Sequence, residues 1–529
     1  MNYFKKHLTF NRKWRKIIYV VFFVTFVILT IFYCFPFQKR NQFKFGKLTE
    51  YIPFQRNVHF ELAEKIVHLD LKGAPPKVAY FNTLFPFLSK LGVTGLLIEY
   101  EDMFPYAGTR SIKIPACNAY SMEDISTIRR LAKENNLNVI PLVQVFGHME
   151  FVLKLEDFAE FREVRRYPQM ICPTHQTTPE IVIEMIDEIV KAHPNIDRLH
   201  IGADEVMYLG ECDRCKDYIR AHNINTNDLF LLYITTIITK IRQKYPSLRI
   251  LMWDDHFRSM KIDELRKSQI GGIVEPVVWN YRKDVEQWLG MWEKYEEIFP
   301  KVWIASAFKG ATGPKQVIPD VSHHVENHKS WLRVLNKYKD GSIRFKGIIL
   351  TGWQRYDHFA VLCELLPVGI PSLVMCLQSL QIDNSANAMK LLNCDGDAYD
   401  FQNCRFPGSN VYDAIMKYQQ LTIDLEIFAG SDRVVGWMDN YNIRNNYSNT
   451  YFIEQASLTL DSLQGSLLNI KTIIYESMST VYDNFTINEW FNVYVKPISS
   501  KIESYMLAKS KLLNIEYWSK KSLIDDNEL

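Results

Sequence analysis

Two adjacent acids, Asp204 and Glu205, end the run Leu199-His200-Ile201-Gly202-Ala203-Asp204-Glu205. Side-by-side carboxylates repel, so one of them should keep its proton to higher pH, which is what a general acid requires near neutrality. Along an extended strand neighbouring side chains face opposite ways. Both acids can serve one site only if the strand ends there and the backbone turns. Other polar and aromatic residues close apolar runs in the same manner: Asp70 and Lys72, Glu99 and Asp102, Gln144 and His148, Trp253 with Asp254 and Asp255, Trp279, Lys309, and Trp353. Carboxylates accept hydrogen bonds from hydroxyls, and indole faces cover the apolar faces of sugars. Together they point to a neutral, polyhydroxylated substrate.

The elements that must carry these residues are eight apolar runs: Ile66–Leu71, Gly95–Tyr100, Asn138–Gln144, Arg198–Glu205, Leu248–Asp255, Gly272–Trp279, Val302–Phe308 and Phe345–Trp353. Ile, Val and Leu occupy successive positions, the pattern of strands buried on both faces of a parallel sheet. Helix-length segments lie between them. Ser121-Met122-Glu123-Asp124 resembles a capping box opening a helix to about Asn136, and Asn227–Lys244 has helical apolar spacing. Eight strands alternating with helices predict an α/β fold, a (β/α)₈ TIM barrel with polar residues gathered at the C-terminal strand ends. A doubly wound sheet would need a Gly-rich phosphate turn after its first strand, and Lys72-Gly73-Ala74-Pro75-Pro76 offers none. Beyond the barrel, Val411–Phe428, Tyr451–Tyr475 and Asn488–Leu513 read as long helices. The predicted organisation is a cytoplasmic tail (1–16), a transmembrane signal anchor (17–35), a stem (36–58), a catalytic barrel (59–387) and a C-terminal α-helical extension (388–529).

The anchor rests on Ile17 to Phe35, 19 uncharged residues. As a helix they would span roughly 28 Å, close to the thickness of a hydrocarbon core. Phe35-Pro36-Phe37 is a poor cleavage site. Six basic residues precede the span and four follow it closely, favouring a single-pass type II protein of the Golgi, secretory pathway or cell surface, its body lumenal or extracellular. The sequons Asn446-Tyr447-Ser448 and Asn484-Phe485-Thr486 suit that side of the membrane. The chain has 62 basic and 60 acidic residues, and removing the six basic residues of the tail leaves a net charge of −4. Without a positive field, nucleic acid is not an expected partner. Cys212-Asp213-Arg214-Cys215 lacks a second half or a nearby His pair, so a loop disulfide or two free thiols are expected there and no metal site. No HExxH, Walker loop or dinucleotide fingerprint occurs, and no cofactor is expected.

His200-x-Gly202-x-Asp204-Glu205 resembles the signature of glycoside hydrolase family 20, the β-N-acetylhexosaminidases. The segments HLDLKGAPPK (68–77), GLLIEYEDMFPY (95–106), PLVQVFGHMEFVLK (141–154), VEPVVWNY (274–281), ASAFKGATGP (305–314), ILTGWQRYDHF (349–359) and FPGSN (406–410) extend the likeness, with its hexosaminidase D-like branch in particular. The resemblance implies a (β/α)₈ barrel and substrate-assisted retaining hydrolysis of a terminal β-linked N-acetylhexosamine on a glycan or glycoconjugate, with GalNAc favoured over GlcNAc. It implies that Glu205 is the general acid and base, protonated at the start. Asp204, ionised, would orient the substrate acetamido group. Trp253, Trp279 and Trp353 would line the acetamido pocket and the sugar face. His148 and Asp255 would support the site, while Glu99 and Asp357 would contact the sugar. Two departures stand out. Asp70 and Lys72 occupy the place of a sugar-binding Arg, and no strand-seven Tyr is evident, which leaves Tyr281 as the candidate replacement.

Two other classes share some of these features. An anchor, a stem and an α/β body also describe Golgi glycosyltransferases, in which a DxD tripeptide such as Asp395-Gly396-Asp397 holds a metal-bound nucleotide sugar. A catalytically inactive sugar-binding barrel is the other, and the intact Asp204-Glu205 pair weighs against it.

Overall fold

The structure, a computed structural model, describes residues 62–518 and 520 apart from 287–289, 381–388 and 395–399. The expected anchor (17–35), the stem (36–58), Asp395-Gly396-Asp397 and the expected boundary at 387/388 lie outside the described residues.

Eight parallel strands close into a barrel in chain order: β1 (Glu64–Asp70), β2 (Gly95–Glu99), β3 (Asn138–Leu142), β4 (Arg198–His200), β5 (Arg249–Trp253), β6 (Glu275–Trp279), β7 (Lys301–Lys309) and β8 (Arg344–Gly352). β8 returns to β1 with Glu64 opposite Gly347 and Val67 opposite Leu350. Side chains alternate across each strand. Ile66, Leu97, Ile140, Leu142, Leu251, Trp253, Val277, Trp303, Ala305 and Ile349 fill the barrel, and Trp279 and Trp353 rest on them from the C-terminal end. The outward set, including Val67, Leu69, Leu96 and Ile98, joins the larger core under the helices.

Helix starts follow local chemistry. Ser121 caps the helix Met122–Glu134 in a reciprocal box with Asp124, and Asn225 caps Thr226–Lys244 with Asp228 in the same way. Strand ends differ more from expectation. The fourth strand stops at His200 rather than Glu205, because Gly202, Ala203 and Glu205 adopt left-handed φ angles of 61°, 68° and 47°. The sixth begins at Glu275 rather than Gly272, since Ile270–Gly272 forms a 3₁₀ turn. An unexpected antiparallel hairpin, Arg162–Val164 with Tyr167–Ile171, rises from the loop after β3. Its strands are short, one charged (Arg162-Glu163-Val164) and one interrupted by Pro168 and Gln169, and carry no apolar run to announce them.

Among the described residues the C-terminal helices lie against the barrel in one compact unit. Leu366–Ser379 packs between β7 and the helix Ser409–Ala429, and its residues from Leu366 to Gln378 are all buried. Thr450–Ser479 crosses Ser409–Ala429 and Lys496–Leu513. The expected helix Asn488–Leu513 is interrupted by a π turn at Phe491–Val495, just before Pro497, which has no N–H to continue an α-helical ladder. Hydrogen bonds tie this layer down: Lys77 N–H to the Val481 carbonyl at 2.6 Å, Leu366 N–H to the Tyr482 hydroxyl at 3.2 Å, and an Arg355–Glu489 ion pair at 2.7 Å. Cys394 and Cys404 form a disulfide. Among the described residues no helix is long and apolar enough to cross a membrane.

Candidate active site

The turn after β4 brings both acids into the barrel mouth. A Cβ on Gly202 would fall 1.8 Å from Gln144 Oε1, so only glycine admits the Gln144 side chain here. That oxygen accepts the Ala203 N–H at 3.1 Å, while Gln144 Nε2 donates to Asp204 Oδ1 at 3.2 Å and to Glu99 Oε1 at 3.3 Å. On the other side, a Cβ on Gly147 would sit 2.0 Å from the Asp204 carbonyl oxygen. Two βα loops thus interlock through a glycine each, and the next residue after Gly147 is His148.

His148 stands between the acids. Its Nε2 is 3.1 Å from Glu205 Oε2 and 3.7 Å from Asp204 Oδ2. Burial opposes charge on this imidazole, but Asp204, Glu205 and Glu150 outweigh it and push its pKa to about 10. It is therefore an imidazolium at neutral pH, donating to Glu205. Burial drives the Asp204 carboxyl up to about 7, against the attraction of His148 and with help from Asp255, Glu99 and Glu205. Glu205, whose side chain is 41% exposed, goes the other way: the hydrogen bond from His148 lowers its pKa. Without substrate, then, the higher proton affinity belongs to Asp204 and not to Glu205, the reverse of the sequence expectation. Adjacency predicted that one acid would be raised, but which one depends on burial.

Asp255 holds this arrangement from β5's end. Its Oδ2 accepts the Glu205 N–H at 2.9 Å and its Oδ1 the Trp279 indole N–H at 3.3 Å. Trp353 Nε1 donates to the Tyr281 hydroxyl at 3.1 Å, and Trp279 and Tyr281 lie face to tilted face at 5.4 Å. Burial raises the Tyr281 pKa, with Asp204 and Glu205 adding to the effect. Trp253 lies deeper, 1% exposed, against His200 and Trp353, its indole N–H without a partner. The three tryptophans and Tyr281 form one aromatic wall beside the acids.

Asp70 and Lys72 form a buried ion pair at 2.9 Å, and Asp70 also accepts the backbone N–H groups of Lys72 (3.1 Å) and Gln354 (2.7 Å). Asp70 is therefore occupied in joining β1 to β8. The Lys72 ammonium lies 5.2 Å from the Trp353 ring centroid and 3.8 Å from Glu101. Glu99 is buried between His68, at 3.0 Å, and Gln144. Burial would raise its pKa, but Lys72 and His68 hold it below the usual carboxylate range. Asp357 Oδ1 accepts the Phe359 and Ala360 N–H groups at 2.7 and 2.8 Å, closing its own loop, and its charge adds to the rise in the Glu150 pKa beside His148.

Sequence reasoning had not assigned roles to Gln144, His68, His256 or His358. Gln144, just past the end of β3, joins the acids of two other strand ends, Glu99 and Asp204. His256 Nε2 accepts the Val206 N–H at 2.9 Å. His358 lies 2.5 Å from Glu101 and 3.1 Å from Lys154, which pairs with Asp102 at 2.7 Å. His68 could have been found, being two residues before Asp70 and so on the same strand face.

Residues 97–293 match the family model "Glycosyl hydrolase family 20, catalytic domain". The chain is 38% identical to hexosaminidase D of Homo sapiens over 457 residues, covering 84% of this chain and 93% of that one. This chain belongs to glycoside hydrolase family 20. Hexosaminidase D of Bos taurus is 46% identical over 329 residues, covering 62% of this chain and 94% of the relative. Among solved structures, a β-N-acetylhexosaminidase from Bacteroides fragilis aligns with a TM-score of 0.44 and 14% identity over 61% of this chain and 68% of that one. The family 20 chain is a glycosidase closely related to hexosaminidase D-type enzymes. That assignment sets aside the glycosyltransferase and inactive-barrel alternatives.

Proposed function

We propose that the enzyme removes terminal non-reducing β-linked N-acetylhexosamine from glycans or glycoconjugates, GalNAc in preference to GlcNAc, through an oxazolinium intermediate with retention. The observation that carries this reading is the shared environment of Asp204 and Glu205, one buried and one open, both facing His148. In this mechanism the substrate acetamido oxygen attacks the anomeric carbon while Glu205 protonates the departing oxygen. Glu205 then takes a proton from water, which opens the intermediate. Asp204 accepts the acetamido N–H and faces the developing positive charge.

The proton arrangement of the free site suits this chemistry. In the free site burial raises the Asp204 carboxyl to about 7 while His148 lowers that of Glu205, so the pair takes its first proton on Asp204. An acetamido N–H directed at Asp204 stabilises its ionised form. A sugar covering Glu205 removes water and favours its neutral form. Binding therefore moves one proton from the orienting acid to the donor acid without net uptake. Trp253, Trp279, Trp353 and Tyr281 would enclose the acetamido methyl, with the Tyr281 hydroxyl near its oxygen. Lys72 and Glu99 would meet sugar hydroxyls.

The test compares aryl β-GalNAc and β-GlcNAc turnover by the purified protein and adds a thiazoline mimic of the intermediate. Faster GalNAc release and tight inhibition are expected. Indifference to the thiazoline would remove substrate assistance, and equal or reversed rates would remove the sugar preference.

A further inference from the structure

Away from the catalytic acids, the hairpin after β3 meets the helix Asp213–His222, which follows the loop carrying Asp204 and Glu205. Glu163 and Cys172 come from the hairpin segment, Cys212 and Cys215 from the helix start. One ligand atom of each lies within 4.8 Å of all the others. Cys172 Sγ is 3.5 Å from Cys212 Sγ and 3.7 Å from Cys215 Sγ, and Cys215 Sγ is 3.1 Å from Glu163 Oε2. Sulfurs bonded to one tetrahedral zinc at about 2.3 Å stand roughly 3.8 Å apart. A disulfide requires about 2.0 Å, and all three cysteines are free. The CxxC is therefore no lone pair: its second half comes from a segment 40 residues earlier.

The surroundings fit a closed metal site. Glu163 Oε1 accepts the N–H groups of Gly210, Glu211 and Cys212 at 3.0, 2.7 and 3.0 Å, which fixes the carboxylate and leaves Oε2 facing the sulfurs. The Cys215 N–H points at Cys212 Sγ at 3.3 Å, as backbone amides do toward metal-bound thiolates. Thr174 Oγ1 lies 3.1 Å from Cys215 Sγ. Cys172, Cys215 and Leu229 form a buried cluster of their own, with Leu209, Tyr218, Ile219 and Ile224 packed around it. Three sulfurs cannot all be paired in disulfides among themselves, whereas a carboxylate completes a four-ligand set. Three thiolates and one carboxylate make a four-ligand set of the kind that suits zinc.

We propose that Glu163, Cys172, Cys212 and Cys215 bind one zinc ion in a structural site that staples the βα loop after β3 to the βα loop after β4. These loops carry His148 and the Asp204-Glu205 pair, so the ion would hold the imidazole in register with the acids. It takes no part in the chemical step.

Elemental analysis of the full-length protein, purified without chelator, should find about one zinc per chain. Cys172→Ser and Cys215→Ser should lose it and melt at lower temperature. Replacement by cobalt in the wild-type protein should produce thiolate-to-cobalt charge-transfer absorption and the intense visible bands of a tetrahedral site, a readout that does not depend on the variants folding. Wild-type protein that neither contains zinc nor takes up zinc or cobalt would overturn the proposal. So would peptide mapping that finds a disulfide between any two of the three cysteines.

Discussion

His148 Nε2 lies 3.1 Å from the Glu205 carboxylate and 3.7 Å from that of Asp204, so a single imidazolium lowers the proton affinity of both acids. The acids nonetheless diverge, because burial of Asp204 outweighs that attraction whereas Glu205 faces solvent. The resulting order, Asp204 above Glu205, governs how the enzyme should respond to pH and to substitution.

Glu205→Gln should abolish proton delivery and lower kcat/KM by about 10²–10⁴. The side chain is 41% exposed, so the unfolding temperature should stay close to that of the parent. Turnover of an aryl β-N-acetylhexosaminide near the parental rate would identify a different donor.

Activity should fall as pH rises through about 7. The Asp204 carboxyl is raised to about 7, so the proton shared by the pair is present below that pH and lost above it. A kcat/KM profile of the free enzyme reads this loss directly. A plateau extending well into alkaline pH would contradict the assignment.

His148→Gln should shift that limb upward. Removing the cation leaves burial of Asp204 opposed by less charge, so its proton is held more tightly. The maximal rate should fall while the limb moves to higher pH. A purely structural role for His148 would lower the rate with the limb unmoved.

Gly147→Ala places a methyl 2.0 Å from the Asp204 carbonyl oxygen, a backbone atom that cannot rotate away. Overpacking of this kind costs about 1–3 kcal/mol. The melting temperature should drop, and kcat should drop further than stability alone explains, because the displaced residue is Asp204 itself.

Asp255→Ala frees both the Glu205 N–H and the Trp279 indole. Misplacing a reacting group by about 1 Å can cost up to roughly 10²-fold. The loss should fall on kcat more than on KM, as separate measurement of the two constants would show.

The barrel was legible from the sequence because its strands are buried on both faces and read as unbroken apolar runs. The aromatic wall was legible too, since Trp253, Trp279 and Trp353 each close such a run. The hairpin at 162–171 was not, because Arg162-Glu163-Val164 carries no periodic signal. Gln144 was visible as a strand-end residue, yet its role required knowing that the next strand turns left-handed at Gly202 and admits its amide. The partition of protons between Asp204 and Glu205 depends on burial, which adjacency in sequence does not report. Cys172 stands 40 positions from Cys212, beyond the reach of any local spacing rule.

The helix Leu366–Ser379 has 13 of its 14 residues buried, with β7 on one side and Ser409–Ala429 on the other. In most (β/α)₈ barrels the eighth helix shows one face to water. Here it has no watery face, so the C-terminal helices act as the barrel's outer skin over that sector. A chain cut after the eighth strand and its helix would bare an apolar rod and aggregate. The segment that carries the family match, 97–293, contains neither β1 nor β7 and β8, and could not close a barrel unaided. A unit able to fold must therefore include the first strand at one end and, at the other, at least the helix Ser409–Ala429 that covers the eighth.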